Sequence, residues 1–326
     1  MMPTRRGVLA GLALGYPALA SPALAQGAWP TRTITITVAY APGGTGDTFA
    51  RAVADRLRPA LGQSVVVENR SGASGAIGTQ AVVRAAPDGY SLLLGQTPEI
   101  AIAKSFVPNI AYDAERDLVP IVMIGDAALA LVVPGNSPFR SVAELMAAAR
   151  ARSRGITFAS AGTGTPGHFA AEVLALRAGG GMTHVPYRGA GPALTDLLGG
   201  HVDFFFSGMP AAVPHVREGT LRMLAVSTAR RRPGVPDVPT VQEGGVPDFD
   251  FSLWSGLFAP AGTPPAVVGR VNAEVNTIIA DPAIRGRFIQ EGAEILANTP
   301  AEFAAMVRRD IAKYAEVIRA TGVKPE

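Results

Sequence analysis

Polar and apolar residues alternate over residues 33–40, TITITVAY, and this period of two with β-branched residues predicts a strand. In the following stretch, DTFARAVADRLRPALG, an apolar residue recurs at every fourth position from Phe49 to Leu61. That spacing predicts the buried face of a helix. Gly62 stands where a glycine commonly ends a helix. Strand, glycine-rich loop and helix are therefore expected in direct succession.

The same order recurs along the rest of the chain. Strands are predicted for SVVVEN and YSLLLG, with a helix for GAIGTQAVVRAA between them. A second cycle starts with strands in PIVMIGDAALALVVP and continues through ITFASAGTGTPGHFAAEVLALR and MTHVPYRGAGPALTDLLGG. Capping-box pairs, Ser141 with Glu144 and Thr299 with Glu302, mark the starts of two further helices. This alternation predicts an α/β fold with a largely parallel sheet.

Two glycine-rich loops resemble each other: AYAPGGTGD at 39–47 and ASAGTGTPG at 159–167. Each follows a predicted strand and opens a predicted helix, so we place them at equivalent positions in two α/β domains. The first turn of a helix presents N–H groups without intrahelical partners at the positive end of the helix dipole. Two such termini facing one cleft predict a site for a small anion such as a carboxylate, with Thr45, Thr163 and Thr165 as hydroxyl donors.

Composition and charge limit the function classes. The 326 residues suffice for about two domains, and 48% of them are hydrophobic. The net charge is only +3 and there is no run of basic residues, so no nucleic-acid partner is expected. The chain has no cysteine, which excludes disulfides, thiolate metal sites and a cysteine nucleophile.

The amino terminus has the features of an export signal. Arg5 and Arg6 precede an apolar stretch, and Ala23-Leu24-Ala25 provides a small-x-small cleavage pattern. We therefore expect residues 1–25 to be a signal peptide that is cleaved near Ala25-Gln26, which places the mature protein in the periplasm. TRRGVLA suits either a twin-arginine signal or an ordinary secretion signal, and both routes stay open.

Enzymatic alternatives are less well supported. The spacing of the four histidines matches no zinc-protease motif, and G-x-S-x-G and the P-loop pattern are absent. Gly162, Gly164 and Gly167 do match the dinucleotide pattern G-x-G-x-x-G, and Arg188 stands where it would accept a 2′-phosphate. The alternative function is therefore an exported NADP-dependent oxidoreductase. The preferred interpretation is a binding protein without catalytic residues, metal or cofactor.

Several side chains near the loops have two possible roles. His168 either donates to the anion or packs against its loop. Trp254 either forms a wall of the cleft or fills the core, and we favour the core. Asp47 is expected to cap the first helix rather than touch the ligand, and Arg51 is expected to point to solvent. Arg188 follows a strand end and is the arginine expected to reach the cleft.

The chain resembles the Bug family, the periplasmic solute-binding components of tripartite tricarboxylate transporters. The resemblance lies in AYAPGGTGDTFAR, VENRSGASGAIGTQAVVRAAPDGYSLLLG, FASAGTGTPGHFAAE, HVPYRGAGPALTDLLGGHVDFFFSG, LRMLAVSTARRRPGVPDVPTVQEGG and WSGLFAPAGTP, which together span most of the mature chain in order. It implies a two-lobed, type II periplasmic-binding-protein (Venus-flytrap) fold with the ligand in the interlobe cleft. It also implies a small organic carboxylate as ligand, membrane transporter subunits or a sensor domain as partners, and a monomer.

The sequence also predicts where the two lobes divide and which residues bind the ligand. Crossings in PIVMIGDAAL and GGVPDFDFSLW divide the chain into lobe 1 (27–124 plus 250–326) and lobe 2 (125–249). Within GQTPEIAIAKSF, Glu99 either faces solvent, which we favour, or faces the cleft, where it would disfavour a second ligand carboxylate. The predicted ligand-binding residues are Tyr40, Pro42, Gly43, Gly44, Thr45, Asp47, Gln96, Thr97, Ser160, Gly162, Thr163, Gly164, Thr165, His168, Tyr187 and Asp203.

Overall fold

The structure is a computed structural model that describes residues 29–151, 155–290, 292–295, 297–321 and 323–324. The predicted signal peptide, residues 1–25, lies outside the described residues. Across the described part of the chain, no helix has both the length and the apolar character needed to cross a membrane.

The described residues form ten strands and eleven α-helices. The strands are β1 (Ile34–Val38), β2 (Val65–Asn69), β3 (Ser91–Gln96), β4 (Leu118–Pro134), β5 (Ile156–Ser160), β6 (Met182–Pro186), β7 (Phe204–Gly208), β8 (Leu221–Val226), β9 (Ser252–Pro260) and β10 (Ala293–Glu294). The helices are α1 (Thr45–Leu61), α2 (Ala76–Val83), α3 (Ala103–Phe106), α4 (Ala114–Asp117), α5 (Val142–Ala151), α6 (Pro166–Ala178), α7 (Ala190–Leu198), α8 (Met209–Arg217), α9 (Pro265–Ala280), α10 (Pro282–Gln290) and α11 (Pro300–Thr321). A 3-10 turn (Ala73–Gly75) precedes α2, and a π-helical turn (Pro98–Ile102) precedes α3.

The strands form two sheet halves that share β4. The first half has the order β2-β1-β3-β9-β4, and the second continues from β4 through β7 and β5 to β6. β4 pairs with β9 from Leu118 to Ala128 and with β7 from Leu129 to Val132, so one strand of 17 residues passes from the first half into the second. β8 and β10 also pair with β4.

The prediction of a largely parallel sheet is correct for the outer strands and wrong for the centre. β1 pairs in parallel with β2 and β3, and β5 pairs in parallel with β6 and β7. β9 and β4 instead run antiparallel to all their partners. β9 reaches β3 only after the whole second half, so the two strands are not joined by the βα crossover that makes successive strands parallel. The stretch at 120–134 is also one strand rather than several.

The local sequence signals of the helices are confirmed. Phe49 and Leu57 on α1 are buried in the core of the first half, and Gly62 ends this helix in the left-handed conformation, with φ of 64°. The N–H of Glu144 donates to Ser141 Oγ at 3.2 Å at the start of α5. Thr299 and Glu302 form the reciprocal pair of hydrogen bonds expected of a capping box before α11.

Candidate functional site

A cavity lies between the two sheet halves, where both glycine loops meet. It encloses about 500 Å³ of space, part of which is open to solvent. We call it the inner cavity. Its wall consists of Tyr40, Gly44, Thr45, Gly46, Asp47, Gln96, Pro98, Leu129, Ala161, Thr165, Pro166, Gly167, Ala190, Phe205, Phe206, Gly208 and Leu253.

The first loop presents the amino terminus of α1 to this cavity. Gly44 precedes the helix in an extended conformation and provides no side-chain cap, so the first N–H groups of α1 are left without an intrahelical partner. Thr45 is only 3% exposed, and among the described residues its Oγ1 has no hydrogen-bond partner. A buried, unpartnered hydroxyl is costly unless something else occupies the site. This end of the cavity is therefore rich in donors.

Asp47 holds this loop from behind. Its carboxylate accepts hydrogen bonds from the Gly43 N–H at 3.1 Å, from Arg51 Nε at 3.0 Å and from Asn69 Nδ2 at 3.1 Å. Partial burial would raise the pKa of Asp47, but the hydrogen bonds from Arg51, Gly43 and Asn69 outweigh it and hold the pKa below its usual value. Asp47 thus holds the loop before α1 through the Gly43 N–H instead of capping the helix as predicted, and it also lines the cavity.

The second loop uses its hydroxyl groups internally. Thr165 caps α6: its Oγ1 donates to the Gly162 carbonyl at 2.8 Å and accepts from the His168 N–H at 3.3 Å. Ser160 Oγ accepts the Gly162 N–H at 3.1 Å and lies 2.6 Å from His184 Nε2. These bonds shape the loop, so α6 brings a helix terminus to the cavity but its hydroxyl groups are already engaged.

His168 supports the second loop rather than facing the cavity. It is 3% exposed, and its Nδ1 accepts the Gly164 N–H at 3.1 Å. Its Nε2 lies 3.4 Å from the Glu172 carboxylate, and its ring stacks on His184 at 4.0 Å. Of the two roles considered for His168, the structure supports packing against the loop.

Of Gln96, Thr97 and Glu99 at the end of β3, only Gln96 reaches the cavity. Gln96 lines the wall and donates through Nε2 to Ser255 Oγ at 3.1 Å. Thr97 is buried, and its Oγ1 accepts the Trp254 N–H at 3.1 Å. The expectation that Glu99 faces solvent is wrong: this residue is 1% exposed and lies behind Tyr40. Trp254 is 2% exposed, which confirms its place in the core.

A second cavity opens beyond Tyr40 and Ala161, which line both spaces. This outer cavity is bounded by Gly72, Ala73, Ser74, Gly75, Gly162, Thr163, Pro186, Tyr187 and Arg188. Arg188 is exposed there and forms no ion pair within the described residues. The Tyr187 hydroxyl donates to Asp196 at 2.6 Å.

Seven of the sixteen predicted residues line neither cavity: Thr97, Ser160 and His168, which are described above, and Pro42, Gly43, Gly164 and Asp203. Pro42 and Gly43 are exposed at the rim. Gly164 is covered by the ring of Phe106. Asp203 lies at the opposite, amino-terminal end of the strands, where its carboxylate accepts from the Thr157 N–H at 2.8 Å.

The two halves touch across the cleft. The Ala41 N–H donates to the Arg188 carbonyl at 3.3 Å, and Ser74 Oγ donates to the Thr163 carbonyl at 2.7 Å. Ser74 has φ of 50°, a left-handed conformation that is uncommon outside glycine and that places its hydroxyl across the cleft. The only sequence signal for Ser74 is its position in the small-residue run SGASG.

Sequence reasoning also missed the apolar wall. The wall of the inner cavity also includes Leu129, Phe205, Phe206 and Leu253. The run DFFFSG identifies a buried strand but does not indicate that this strand borders a cavity.

The resulting chemistry is that of an anion site without a cation. The wall of the inner cavity contains no lysine or arginine. Among the described residues, no cluster of three or more histidine or acidic side chains is arranged to hold a metal. The polar groups of the wall are the starts of α1 and α6, the Thr45 and Tyr40 hydroxyls, the Gln96 amide and the Asp47 carboxylate, and the rest of the wall is mainly apolar.

Comparisons with known proteins agree with this geometry. Residues 49–323 match the family described as the tripartite tricarboxylate transporter family receptor. The chain is 38% identical over 322 residues to BugT of Bordetella pertussis, with 98% of each chain covered. It is 34% identical to the solved structure of R. palustris Rpa4515 with adipate, with a TM-score of 0.88, covering 91% of this chain and 100% of that one.

A second ligand-bound structure is similar. MatC (Rpa3494) from Rhodopseudomonas palustris with bound malate is 32% identical, with a TM-score of 0.84 and coverage of 89% of this chain and 100% of that one. None of these matches supports the NADP-dependent alternative. The chain belongs to the tripartite tricarboxylate transporter receptor family, the Bug-type periplasmic solute-binding proteins.

Proposed function

We propose that this protein captures a small carboxylate-bearing ligand between its two glycine loops and delivers it to membrane transporter subunits or to a sensor domain. The observation that carries the proposal is the buried Thr45 hydroxyl at the amino terminus of α1, which has no hydrogen-bond partner among the described residues. The amino terminus of α6 lines the same cavity. Helix termini and a hydroxyl stabilise a carboxylate without a lysine or arginine, because their N–H and O–H groups and dipoles already point at it.

The shape of the site supports a ligand with one polar end and an apolar middle. The carboxylate would lie against Thr45, Gln96 and the start of α1, and the carbon chain would lie against Phe205 and Phe206. A longer ligand would continue past Tyr40 into the outer cavity, where Arg188 suits a second negative charge. The related structures that hold adipate and malate contain ligands of this class.

The proposal extends to the location, oligomeric state and lobes of the protein. We infer an exported, monomeric protein that acts in the periplasm after cleavage of residues 1–25. Its lobes would be 27–124 with 250–326, and 125–249, so that β4 and the chain entering β9 form the hinge. Ligand is bound and released without chemical conversion, since the groups around the inner cavity include no nucleophile paired with a base.

The test uses purified protein from Gln26 onward. We expect adipate, malate or another small carboxylate from a panel to raise the melting temperature and to bind by isothermal titration. NMR of the recovered ligand should show it unchanged. If no carboxylate binds while amines or neutral solutes do, the proposed function is wrong. Turnover of a bound ligand would contradict the proposal that the protein is only a binding protein.

A further inference from the structure

Glu99 lies directly behind the wall of the inner cavity. Its Oε1 accepts the Gln96 N–H at 2.6 Å, and its Oε2 lies 3.1 Å from the hydroxyl oxygen of Tyr40. Gln96 and Tyr40 both line the cavity, whereas Glu99 does not. The carboxyl group is therefore separated from the cavity by one residue, and it contacts the wall through the Tyr40 side chain and the Gln96 backbone N–H.

A proton on Glu99 satisfies every hydrogen bond around Tyr40. The Tyr40 hydroxyl has one hydrogen, and its oxygen lies 2.9 Å from the Ser74 carbonyl, which can only accept. If that hydrogen goes to Ser74, the contact with Oε2 needs a hydrogen from Glu99. Oε1 already accepts the Gln96 N–H, so the proton belongs on Oε2. All three contacts are then satisfied by a neutral carboxylic acid.

No positive charge compensates for an ionised Glu99. Within the described residues it forms no ion pair. Lys104, the nearest cation along the chain, is engaged by Asp113 and Glu115. β3 and the turn at residues 73–75 contain no ionisable side chain. The surrounding elements direct four ionisable side chains inward: Tyr40, Tyr112, Asp310 and Tyr314. The Tyr112 hydroxyl donates to the Glu99 carbonyl, and the Asp310 carboxylate accepts from the Trp254 ring.

We propose that Glu99 is a neutral carboxylic acid that positions Tyr40 and Gln96 at the ligand cavity, and that binding of an anionic ligand depends on this proton. The second part rests on the proposed function, because it needs a negative charge in the inner cavity. A ligand carboxylate there repels charge on Glu99, so the complex holds the proton more tightly than the free protein does. By reciprocity, the protonated protein binds the ligand more tightly.

The direction of the pH dependence follows. Burial raises the pKa of Glu99 to about 8 in the free protein, because desolvation outweighs the hydrogen bonds that the ionised carboxylate would accept from its own N–H, Gln96 and Tyr40. Below about pH 7 both states hold the proton, and affinity is constant. As the pH rises through the free-state pKa, binding requires uptake of a proton, and affinity falls by up to about tenfold per pH unit. Carboxylate ligands stay ionised throughout this range.

The first experiment needs no ligand. Infrared spectroscopy of the native protein near pH 6 should show the carbonyl band of a protonated carboxylic acid that is absent from Glu99→Gln, and raising the pH above about 9 should remove it. Glu99→Gln retains an acceptor for Gln96 and a donor for Tyr40, so it preserves the local geometry. Glu218→Gln, whose side chain is 67% exposed, is the control and should keep the band. Identical spectra for native protein and Glu99→Gln would overturn the proposal.

The second experiment measures binding of adipate and malate by isothermal titration in phosphate and in Tris. Native protein should lose about threefold or more in affinity between pH 7 and pH 9 and should take up protons on binding. Glu99→Gln should show neither effect, and Glu218→Gln should behave as native. Equal pH profiles for native protein and Glu99→Gln would overturn the link to binding. If no carboxylate binds, the proposed function fails, and the infrared experiment still decides the state of Glu99.

Discussion

The two glycine loops are alike in sequence and differ in how they use their polar groups. The first leaves the Thr45 hydroxyl and the start of α1 facing the cavity, and ionic contacts behind it keep it in place. In the second loop, the hydroxyl groups of Ser160 and Thr165 form hydrogen bonds with the loop's own backbone, and the loop is supported by the stacked rings of His168 and His184. The first loop is therefore built to donate to a ligand, and the second to give the cavity a fixed shape. Similar loop sequences do not imply equal shares of the binding energy.

The largest expected difference between the loops concerns their glycines. Gly164 has φ of +81°, and a Cβ there would lie 2.5 Å from the Phe106 ring, whereas Gly44 has φ of −84° and has room for a Cβ at 3.7 Å from Ala190. Gly164→Ala should lower the free energy of unfolding by roughly 2 kcal/mol or more, because it combines strain with a clash. Gly44→Ala should change it by less than about 0.5 kcal/mol. Urea unfolding measures both. Equal losses would show that the second loop is not the more rigid one.

Substitutions of Thr45 and Thr165 distinguish hydrogen bonding to the ligand from stabilisation of the loop. Thr45→Val removes a hydroxyl that would contact a charged group, and it should weaken binding by about 1.5–3 kcal/mol with little change in stability. Thr165→Val removes a helix cap, and it should cost about 1 kcal/mol of stability. Titration calorimetry and thermal unfolding of the same two variants give both numbers. Thr45→Ser, which keeps the hydroxyl, should bind like native protein. Normal binding by Thr45→Val would remove the main support for the site.

The smallest effects are expected from the arginines. Arg51 supports Asp47 but does not line the inner cavity, so Arg51→Ala should change affinity by less than about tenfold, or 1.4 kcal/mol. Arg188→Ala should have a moderate effect that is confined to ligands with a second carboxylate, since Arg188 lines only the outer cavity. Comparing adipate with a monocarboxylate of similar length separates the two cases. Loss of all binding in either variant would mean that an arginine clamp holds the anion.

Local features of the fold could be predicted because their signals are local. The apolar face of α1 and the glycine that ends it are determined by residues within a few turns of each other. The antiparallel entry of β9 could not be predicted, because it depends on pairing Leu93 with Phe258 across about half of the chain. The apolar run of β4 likewise gives no sign that one strand serves both sheet halves.

The site was predictable to a similar degree. Strand-to-helix loops lie at the carboxyl ends of parallel strands, so Tyr40, Thr45 and Thr165 could be expected near one another, and they line one cavity. Which hydroxyl is left for a ligand depends on neighbours that only the fold brings together. Asp203 shows the limit: it is close in sequence to β7, but it precedes that strand and so lies at the wrong end.

The late return of β9 also bears on how the chain folds. β3 can complete its pairing only when residues 252–260 arrive, long after the first half of the chain has been made. Until then β3, with its buried leucines, is an exposed edge that can pair with another molecule. Contacts between such distant segments also slow folding, because a long stretch of chain must be closed before they form. A fragment that ends before Ser252 should therefore aggregate rather than fold as a smaller domain.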